Sequence, residues 1–225
     1  MNTIQGSFYV LIQSYKKRII TFWCILFSII LFTVFLDNFF GQNMFIALSV
    51  SIPVYIFYGN MAAKLLNKTL PYFLKLGLSR LQYMFNVGLF FICWSLVGAF
   101  IIASAHKIMT YISNIFIIHP ILLINNSPSF LQMMTLDTVI LLFFLTAGLL
   151  LNVVFYRLGT IGGYSFIGLL GLIPIVTIIF KWYSSLFDLL SNISTFTLLS
   201  SLFVFSVLLY SIITMAIRNA SVNPA

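Results

Sequence analysis

The sequence predicts an all-α membrane protein with six transmembrane helices in a single transmembrane domain, residues 1–225. Three observations predict this fold class. Of the 225 residues, 62% are hydrophobic and only 6% are charged, whereas a soluble domain carries about a quarter charged residues. The apolar runs are long enough for helices of about 20 residues that cross a bilayer. They are also continuous, whereas the strands of a membrane β-barrel alternate in hydrophobicity.

The first predicted element is a weakly amphipathic helix over residues 3–17, followed by three basic residues at 16–18. We predict that it lies on the inner leaflet; the alternative is that it is the start of the first spanning helix. Six spans follow it. Their predicted bounds are 19–36, 44–63, 81–105, 137–156, 161–180 and 195–217.

The second and fifth spans contain residues that can interrupt or line a helix bundle. Pro53 can kink the second span. Several hydroxyl groups on the same span suggest a face turned toward protein or water, with ordinary interhelical hydrogen bonding as the alternative. The candidates for lining a pathway are Ser49, Ser51, Pro53, Tyr55 and Tyr58. In the fifth span, glycines and Pro174 permit close helix contact and a bend.

Charge predicts the orientation. With both termini in the cytoplasm, nine of the eleven Lys and Arg residues lie inside, as the positive-inside rule requires. The inner residues are Lys16, Lys17, Arg18, Lys64, Lys68, Lys75, Arg80, Arg157 and Arg218. Lys107, Lys181 and the three aspartates Asp37, Asp137 and Asp188 fall outside. We therefore predict a multi-pass protein of the plasma membrane with cytoplasmic N- and C-termini, in which the net charge of +8 reflects topology and not nucleic-acid binding.

The longest outer connection is predicted at residues 106–136, with short helices at the outer interface, and a second outer loop at 181–194. Both histidines, His106 and His119, fall in the first of these loops. Cys24 and Cys93 lie within apolar runs, which indicates free thiols.

Motifs of enzymes and nucleotide-binding proteins are missing from the sequence. The chain has no glutamate, no His-Glu-x-x-His, no Gly-x-Ser-x-Gly and no P-loop. We therefore expect no catalytic residue, no metal site and no cofactor site in this chain. We also expect no aspartate deep within a span, which argues against an ion-coupled carrier.

Region 64–80 combines basic residues with apolar spacing and is predicted to form a short cytoplasmic helix. Thr69 is a candidate N-cap, and Pro71 would then lie in the first turn, where its missing donor has no cost. Gly77 stands where a left-handed C-terminal cap is needed. Ser79 and Gln82 have the spacing of a capping box that starts the third span.

This region carries a resemblance to a known family. Leu70-Pro71-Tyr72-Phe73, leading into Leu76-Gly77-Leu78-Ser79-Arg80 and then Tyr83, resembles the LGxxR region of ABC-2 type transporter permeases, the transmembrane subunits of small Gram-positive bacterial ABC exporters. The motif covers about 15 residues, while the order of spans, the interfacial helix and this loop resemble the family over the whole chain. In one respect the layout differs, since larger members have their main external insertion between the fifth and sixth spans.

The resemblance implies a permease subunit that forms a translocation pathway and exports amphipathic or hydrophobic peptides. ATP and Mg would be bound by cytoplasmic ABC ATPase subunits, and a second permease subunit, the same or a different chain, would complete the pathway in the lipid bilayer. The residues implied in coupling to the ATPase are Leu70, Pro71, Tyr72, Phe73, Leu74, Lys75, Leu76, Gly77, Ser79 and Arg80.

Two other functions fit the sequence. A membrane-bound immunity, assembly or sensor protein would have the same composition without transport, and an ion-coupled carrier is the third hypothesis. A neighbouring reading frame with a P-loop and a signature motif would favour the permease.

Overall fold

Helices make up nearly all of the regular structure. The structure, a computed structural model, describes residues 3–40, 47–112, 116–123, 128–182 and 194–218. These ranges contain six α-helices, a pair of two-residue strands and one 3-10 helix. The helices are α1 Thr3–Phe40, α2 Ser51–Ala62, α3 Leu65–Lys75, α4 Arg80–Ile112, α5 Phe130–Ile179 and α6 Thr195–Arg218; the strands are β1 Ala47–Leu48 and β2 Phe116–Ile117, and the 3-10 helix is Pro120–Leu123.

Four of the helices are long and apolar enough to cross a membrane. They comprise Phe8–Asp37 of α1, the whole of α4, the whole of α5 and the whole of α6. Long helices of this composition expose many apolar side chains, and this exposure is unfavourable in water but favourable in the hydrocarbon of a bilayer. The protein is therefore helical and membrane-embedded.

α1 is one uninterrupted helix of 38 residues. The sequence predicted two elements, an interfacial helix over 3–17 and a span from residue 19, and the structure replaces them with one. The reason is a continuous buried stripe at helical spacing, which crosses the basic residues at 16–18 without a break. Its members are Leu11, Tyr15, Ile19, Trp23, Leu26 and Ile30.

α2 is shorter than the span predicted over 44–63. It has 12 residues and is therefore about 18 Å long, less than the hydrocarbon thickness of a bilayer. Pro53 is the third residue of α2, in the first turn, where a missing donor removes no intrahelical hydrogen bond. Pro53 therefore breaks no hydrogen bond of α2, and its position supplies no cause for the kink that the sequence permitted. Just before α2, β1 pairs in parallel with β2, with Ala47 opposite Phe116.

α5 consists of two helical halves joined at Gly159. The backbone there has φ 69° and ψ −171°, which lies outside the helical region and is accessible to glycine at little cost. The kink at Gly159 lies between the predicted fourth and fifth spans, 137–156 and 161–180. In the second half of α5, Gly163 is buried while its neighbours are mostly exposed, so this half makes few contacts within the chain.

The core lies where α2 packs between α1, α4 and α5. Phe22 of α1 stacks on Phe57 of α2, with ring centroids 3.9 Å apart. α2 and α5 approach each other closely, since a β-carbon added to Gly148 would lie 2.1 Å from the Gly59 carbonyl oxygen. The sequence predicted such contact for the glycines of the fifth span. For Gly168 and Gly171 the described part of the chain shows no such contact, because nothing in it lies within 4 Å of a β-carbon added to either glycine.

The outer connection is shorter than predicted because α4 continues to Ile112 and α5 begins at Phe130. Of the short helices predicted in between, the 3-10 helix is present, but the segment at 116–117 is a strand. Residues 113–115 and 124–127 lie outside the described part of the chain. The same is true of most of the second outer loop, including Asp188, and of the C-terminal tail.

Candidate functional site

α3 has one buried face and one exposed face. The buried face consists of Leu65, Leu66, Thr69, Leu70 and Phe73. The exposed face, which we call the basic strip, consists of Asn67, Lys68, Pro71, Tyr72, Lys75 and Leu76. A short helix with this division is fixed to its own protein on one side and free for another molecule on the other.

Backbone and side-chain caps define the ends of the linker between α3 and α4. Gly77 has φ 81°, and its amide donates to the Leu74 carbonyl oxygen, while the Leu78 amide donates to that of Phe73. These two bonds form a Schellman motif. Ser79 and Gln82 then bond reciprocally at 3.0 and 3.2 Å, which is a complete capping box. Both caps were predicted from the sequence.

The start of α3 differs from the prediction. Thr69 is not an N-cap, because the helix begins four residues earlier, at Leu65, and Thr69 lies in its interior. Burial of Leu65 and Leu66, both 0% exposed, favours the longer helix over the shorter, locally capped one. Pro71 is therefore in the middle of α3, where it deprives the Asn67 carbonyl of its usual donor; both residues are exposed, so solvent can supply one.

A buried hydrogen bond attaches α3 to α4. The Thr69 hydroxyl lies 2.6 Å from the Tyr83 hydroxyl and donates its own hydrogen to the Leu65 carbonyl oxygen at 2.8 Å. Since a threonine hydroxyl has one hydrogen, Tyr83 is the donor in the bond between them. The ring of Tyr83 also lies against that of Phe73, with centroids 5.4 Å apart. α3 is therefore held firmly by the helix that follows it.

The junction between α2 and α3 is fixed by α5. The Asn152 side-chain amide donates to the Ala63 carbonyl oxygen, which follows the last residue of α2. Carbonyl groups at a helix end have no partner within the helix, so this bond supplies one from a different helix. A displacement of α3 would accordingly be transmitted to both α4 and α5.

The predicted coupling residues divide between the two faces of α3 and its linker. Leu70 and Phe73 are buried and Leu74 is half-buried, so the apolar side predicted from spacing faces the chain's own core. Tyr72 is 49% exposed and Leu76 is 57% exposed. These two, with Pro71, Lys75, Gly77 and Ser79, are the members of the predicted set that another molecule can contact.

Arg80 holds the C-terminal end of α6. Its guanidinium donates to the Ile217 carbonyl oxygen at 3.0 Å and to that of Arg218 at 3.4 Å. A cation at a helix C-terminus is favourable because of the helix dipole. Arg80 and Arg218 therefore lie at one end of the bundle, and Arg18 and Lys64, which line one groove, lie beside α3. We call the end of the bundle that these four residues mark the basic end.

The five pathway candidates lie in or beside α2. Ser51, Tyr55 and Tyr58 are buried within the chain, Ser49 is half-buried, and Pro53 is exposed. Tyr58 fits against Gly98 of α4, where an added β-carbon would lie 2.6 Å from its hydroxyl oxygen. α2 thus directs most of these polar groups into the bundle.

A buried polar cluster at the opposite end was missed by sequence reasoning. Asp137 of α5, 0% exposed, accepts a hydrogen bond from the Tyr55 hydroxyl at 2.5 Å. Its other oxygen lies 3.2 Å from Nε2 of His119. The rings of His119 and His106 meet edge to face, with centroids 5.1 Å apart. These four residues, all nearly inaccessible to solvent, are called the Asp137 cluster below.

The Asp137 cluster corrects two predictions. His106 belongs to α4 and not to a loop, and Asp137 lies about two turns inside α5 and not at the end of a span. The sequence does contain a signal that Asp137 lies inside a helix. Ser129 and Gln132 form a capping box like the one at Ser79, and it places the helix start before Asp137. The absence of a buried acid, which had argued against an ion-coupled carrier, no longer holds.

Comparisons with family models, with curated proteins and with solved structures return no match for this chain. In the part of the chain that the structure describes, no group of three or more His, Cys, Asp or Glu side chains is arranged to hold a metal ion. The class that the structure defines is a helical membrane-embedded protein.

Proposed function

We propose that the chain is the permease subunit of an ATP-driven exporter and that the basic strip of α3 docks a separate cytoplasmic ABC ATPase. The observation that carries the proposal is the division of α3 into a face anchored in the bundle and an exposed face. A helix that transmits movement from an ATPase must be rigidly attached to the bundle and must also be accessible to the ATPase. The Thr69–Tyr83 bond and the Asn152 contact with Ala63 supply the first property.

Electrostatics supports a protein partner with an acidic groove. Lys68 and Lys75 flank Tyr72 and Leu76 on the exposed face. Among the described residues the acids are Asp37, near the far end of α1, and Asp137, in the buried cluster. The basic end is therefore electropositive, and complementary charge accelerates and orients association.

In the proposed mechanism the ATPase pair binds ATP and Mg, and the ATP-driven closure of this pair presses on α3. Because α3 is bonded to α4 and joined to α2 and α5, its movement shifts these helices together. A second permease subunit, a copy or a different chain, completes the pathway. The hydroxyls of α2 become accessible when the bundle opens. Amphipathic or hydrophobic peptides are the proposed cargo.

The test is co-purification from native membranes with mass spectrometry. After mild solubilisation, the wild-type chain is expected to co-purify with a protein that contains a P-loop. The double variant Tyr72→Asp with Leu76→Asp is expected to lose at least nine-tenths of it, because two buried charges are costly at an interface core. Neither residue packs in the chain's own core, so the variant should still insert and fold.

The matched control is Tyr111→Asp. Tyr111 is 92% exposed near the end of α4 that lies away from the basic end, and this variant should retain the ATPase. Absence of any P-loop protein from the wild-type sample would contradict the proposed function. Retention by the double variant would contradict the assignment of the basic strip.

A further inference from the structure

We propose that the groove lined by Arg18 and Lys64 binds one anionic phospholipid, whose phosphodiester group lies between the two basic side chains. The groove lies between α1 and α2 and has a volume of about 210 Å³; its lining residues are Arg18, Phe57, Asn60, Met61 and Lys64. We call it the α1–α2 groove. The proposal does not depend on the ATPase partner, since every residue that carries it belongs to this chain.

Arg18 lies at the depth at which a bilayer carries its phosphate groups. Residues 19–36 contain no charged side chain, and Asp37 is the next charged residue along α1. The helix from Arg18 to Asp37 is about 28 Å long at 1.5 Å per residue, which matches the hydrocarbon thickness of about 30 Å. The two charges therefore lie at opposite boundaries of the hydrocarbon, and Arg18 is level with the headgroups at the basic end.

The polarity of the α1–α2 groove changes along its length as that of a phospholipid does. Phe57 stacks on Phe22 of α1, with ring centroids 3.9 Å apart, and this stack fixes the spacing of the two helices. Along the helix axes, Arg18 lies about 6 Å from the stack toward the basic end, and Asn60 lies about 4.5 Å from it. Lys64 follows one turn later. The aromatic end of the groove thus adjoins acyl chains, and the polar end adjoins the headgroup.

Arg18, Asn60 and Lys64 supply donors of the kind that a phosphodiester requires. All three side chains are exposed, so a lipid can reach them. The Arg18 guanidinium is held near the ring of Tyr15, with Cζ 6.0 Å from the ring centroid, and its planar fork matches phosphate oxygens. The Lys64 ammonium adds a second cation, and the Asn60 amide adds a neutral donor. Because two cations in one groove repel each other, an anion between them is stabilising.

The depth and the apolar end of the groove favour a lipid over a soluble phosphate. Basic pockets between membrane helices are typical sites for anionic headgroups. A soluble phosphate would satisfy the cations but would not cover Phe57. A phosphatidylcholine headgroup carries its own cation beside the phosphodiester, which weakens its attraction to two basic residues. The expected ligand is therefore a lipid with a net negative charge, and phosphatidylglycerol is the probe for it.

The bound lipid connects three elements. Arg18 belongs to α1 and Asn60 to α2, and Lys64 is the residue directly before α3. A ligand that spans these residues holds α1 against the junction at which α3 begins. Since a ligand that binds only the folded chain raises its stability, occupancy of the groove is measurable by thermal unfolding as well as by mass.

The test is native mass spectrometry of the full chain, released from detergent to which a defined lipid has been added. We expect the wild-type chain to bind one phosphatidylglycerol at least tenfold more tightly than phosphatidylcholine. Arg18→Gln and Lys64→Gln each remove one charge at an exposed position, and each should weaken phosphatidylglycerol binding at least fivefold. Inorganic phosphate at the same concentration as the lipid should not displace it.

Lys17→Gln is the matched control. Lys17 is exposed and adjacent to Arg18 in α1, but it is not among the residues that line the groove. Its substitution changes the net charge by the same amount and should alter the affinity less than twofold. Thermal unfolding without added lipid checks that all three variants fold. Phosphatidylglycerol should then raise the unfolding midpoint of the wild type and of Lys17→Gln more than that of either groove variant.

Three results would overturn the proposal. One is equal affinity of the wild-type chain for the two lipids. Another is an equal loss of affinity in Lys17→Gln and in the groove variants, which would indicate attraction to the overall basic charge without a defined site. The third is displacement of the lipid by inorganic phosphate, which would identify a site for soluble phosphate. None of these measurements involves an ATPase, so the proposed function stands or falls separately.

Discussion

At the scale of single residues, the most consequential contact is the bond between the Thr69 and Tyr83 hydroxyls. Thr69→Val removes a hydroxyl with little change in shape and leaves the buried Tyr83 hydroxyl, 1% exposed, without its acceptor. An unsatisfied buried polar group costs about 1–3 kcal/mol. We expect the free energy of unfolding in detergent to fall by an amount in that range.

The double variant Thr69→Val with Tyr83→Phe separates this explanation from simple loss of packing. It removes both partners, so no polar group is left unpaired, and it should be more stable than Thr69→Val alone. Thr138→Val is the control, since the Thr138 hydroxyl bonds the Met134 carbonyl of its own helix at 2.7 Å and should matter little. A double variant less stable than the single one would contradict the prediction.

Residues whose structure depends on near neighbours were predicted well. Gly77 and the Ser79–Gln82 box act within five residues, so their spacing alone reveals them. Thr69 has an equally good local signal for an N-cap, but the burial of Leu65 and Leu66 outweighs it. Tyr55 and Asp137 are 82 residues apart, and no local pattern pairs them. The predictable part of the candidate site is thus its caps, and the unpredictable part is its packing.

At the scale of helices, the crossing of α2 and α5 depends on glycine. Gly148→Ala adds a β-carbon that would lie 2.1 Å from the Gly59 carbonyl and 3.1 Å from the β-carbon of Ala62. Backbone cannot move aside as a side chain does, so the two helices must separate. We expect a loss of about 1–3 kcal/mol in unfolding free energy, the usual cost of overpacking, measured by thermal or denaturant unfolding in detergent.

Gly168→Ala is the matched control for this crossing. It is also a glycine inside α5, but among the described residues nothing lies within 4 Å of its added β-carbon, and alanine is the better helix former by about 0.8–1.0 kcal/mol. It should be neutral or stabilising. Equal destabilisation by both variants would show that helix propensity, and not the close crossing, decides the result.

The same crossing explains a limit of the sequence. The predicted fifth span contains several glycines, yet the glycines that meet are Gly59 and Gly148, each the only glycine of its predicted span, the second and the fourth. A small residue permits close approach but does not show which helix approaches. The composition was sufficient to predict a helical membrane protein, whereas the length of α2 and the partner of each helix follow from packing.

At the scale of the whole molecule, the bundle has two chemically different ends. Arg18, Lys64, Arg80 and Arg218 are gathered at the basic end, where Arg80 bonds the end of α6. The paired strands, the 3-10 helix and the Asp137 cluster lie away from it, since Asp137 and Asn152 are separated by about 22 Å along α5. The positive-inside rule therefore predicts that the basic end faces the cytoplasm.

Thiol labelling in intact cells tests this orientation. Cys24 and Cys93 are exposed and are first replaced by alanine. A single cysteine is then introduced by Tyr111→Cys or by Lys68→Cys, both at exposed positions. A membrane-impermeant maleimide should label the first variant in intact cells and the second only after permeabilisation. The opposite pattern would place α3 outside the cell, where no cytoplasmic ATPase could reach the basic strip, and labelling of both in intact cells would contradict the assignment of two ends.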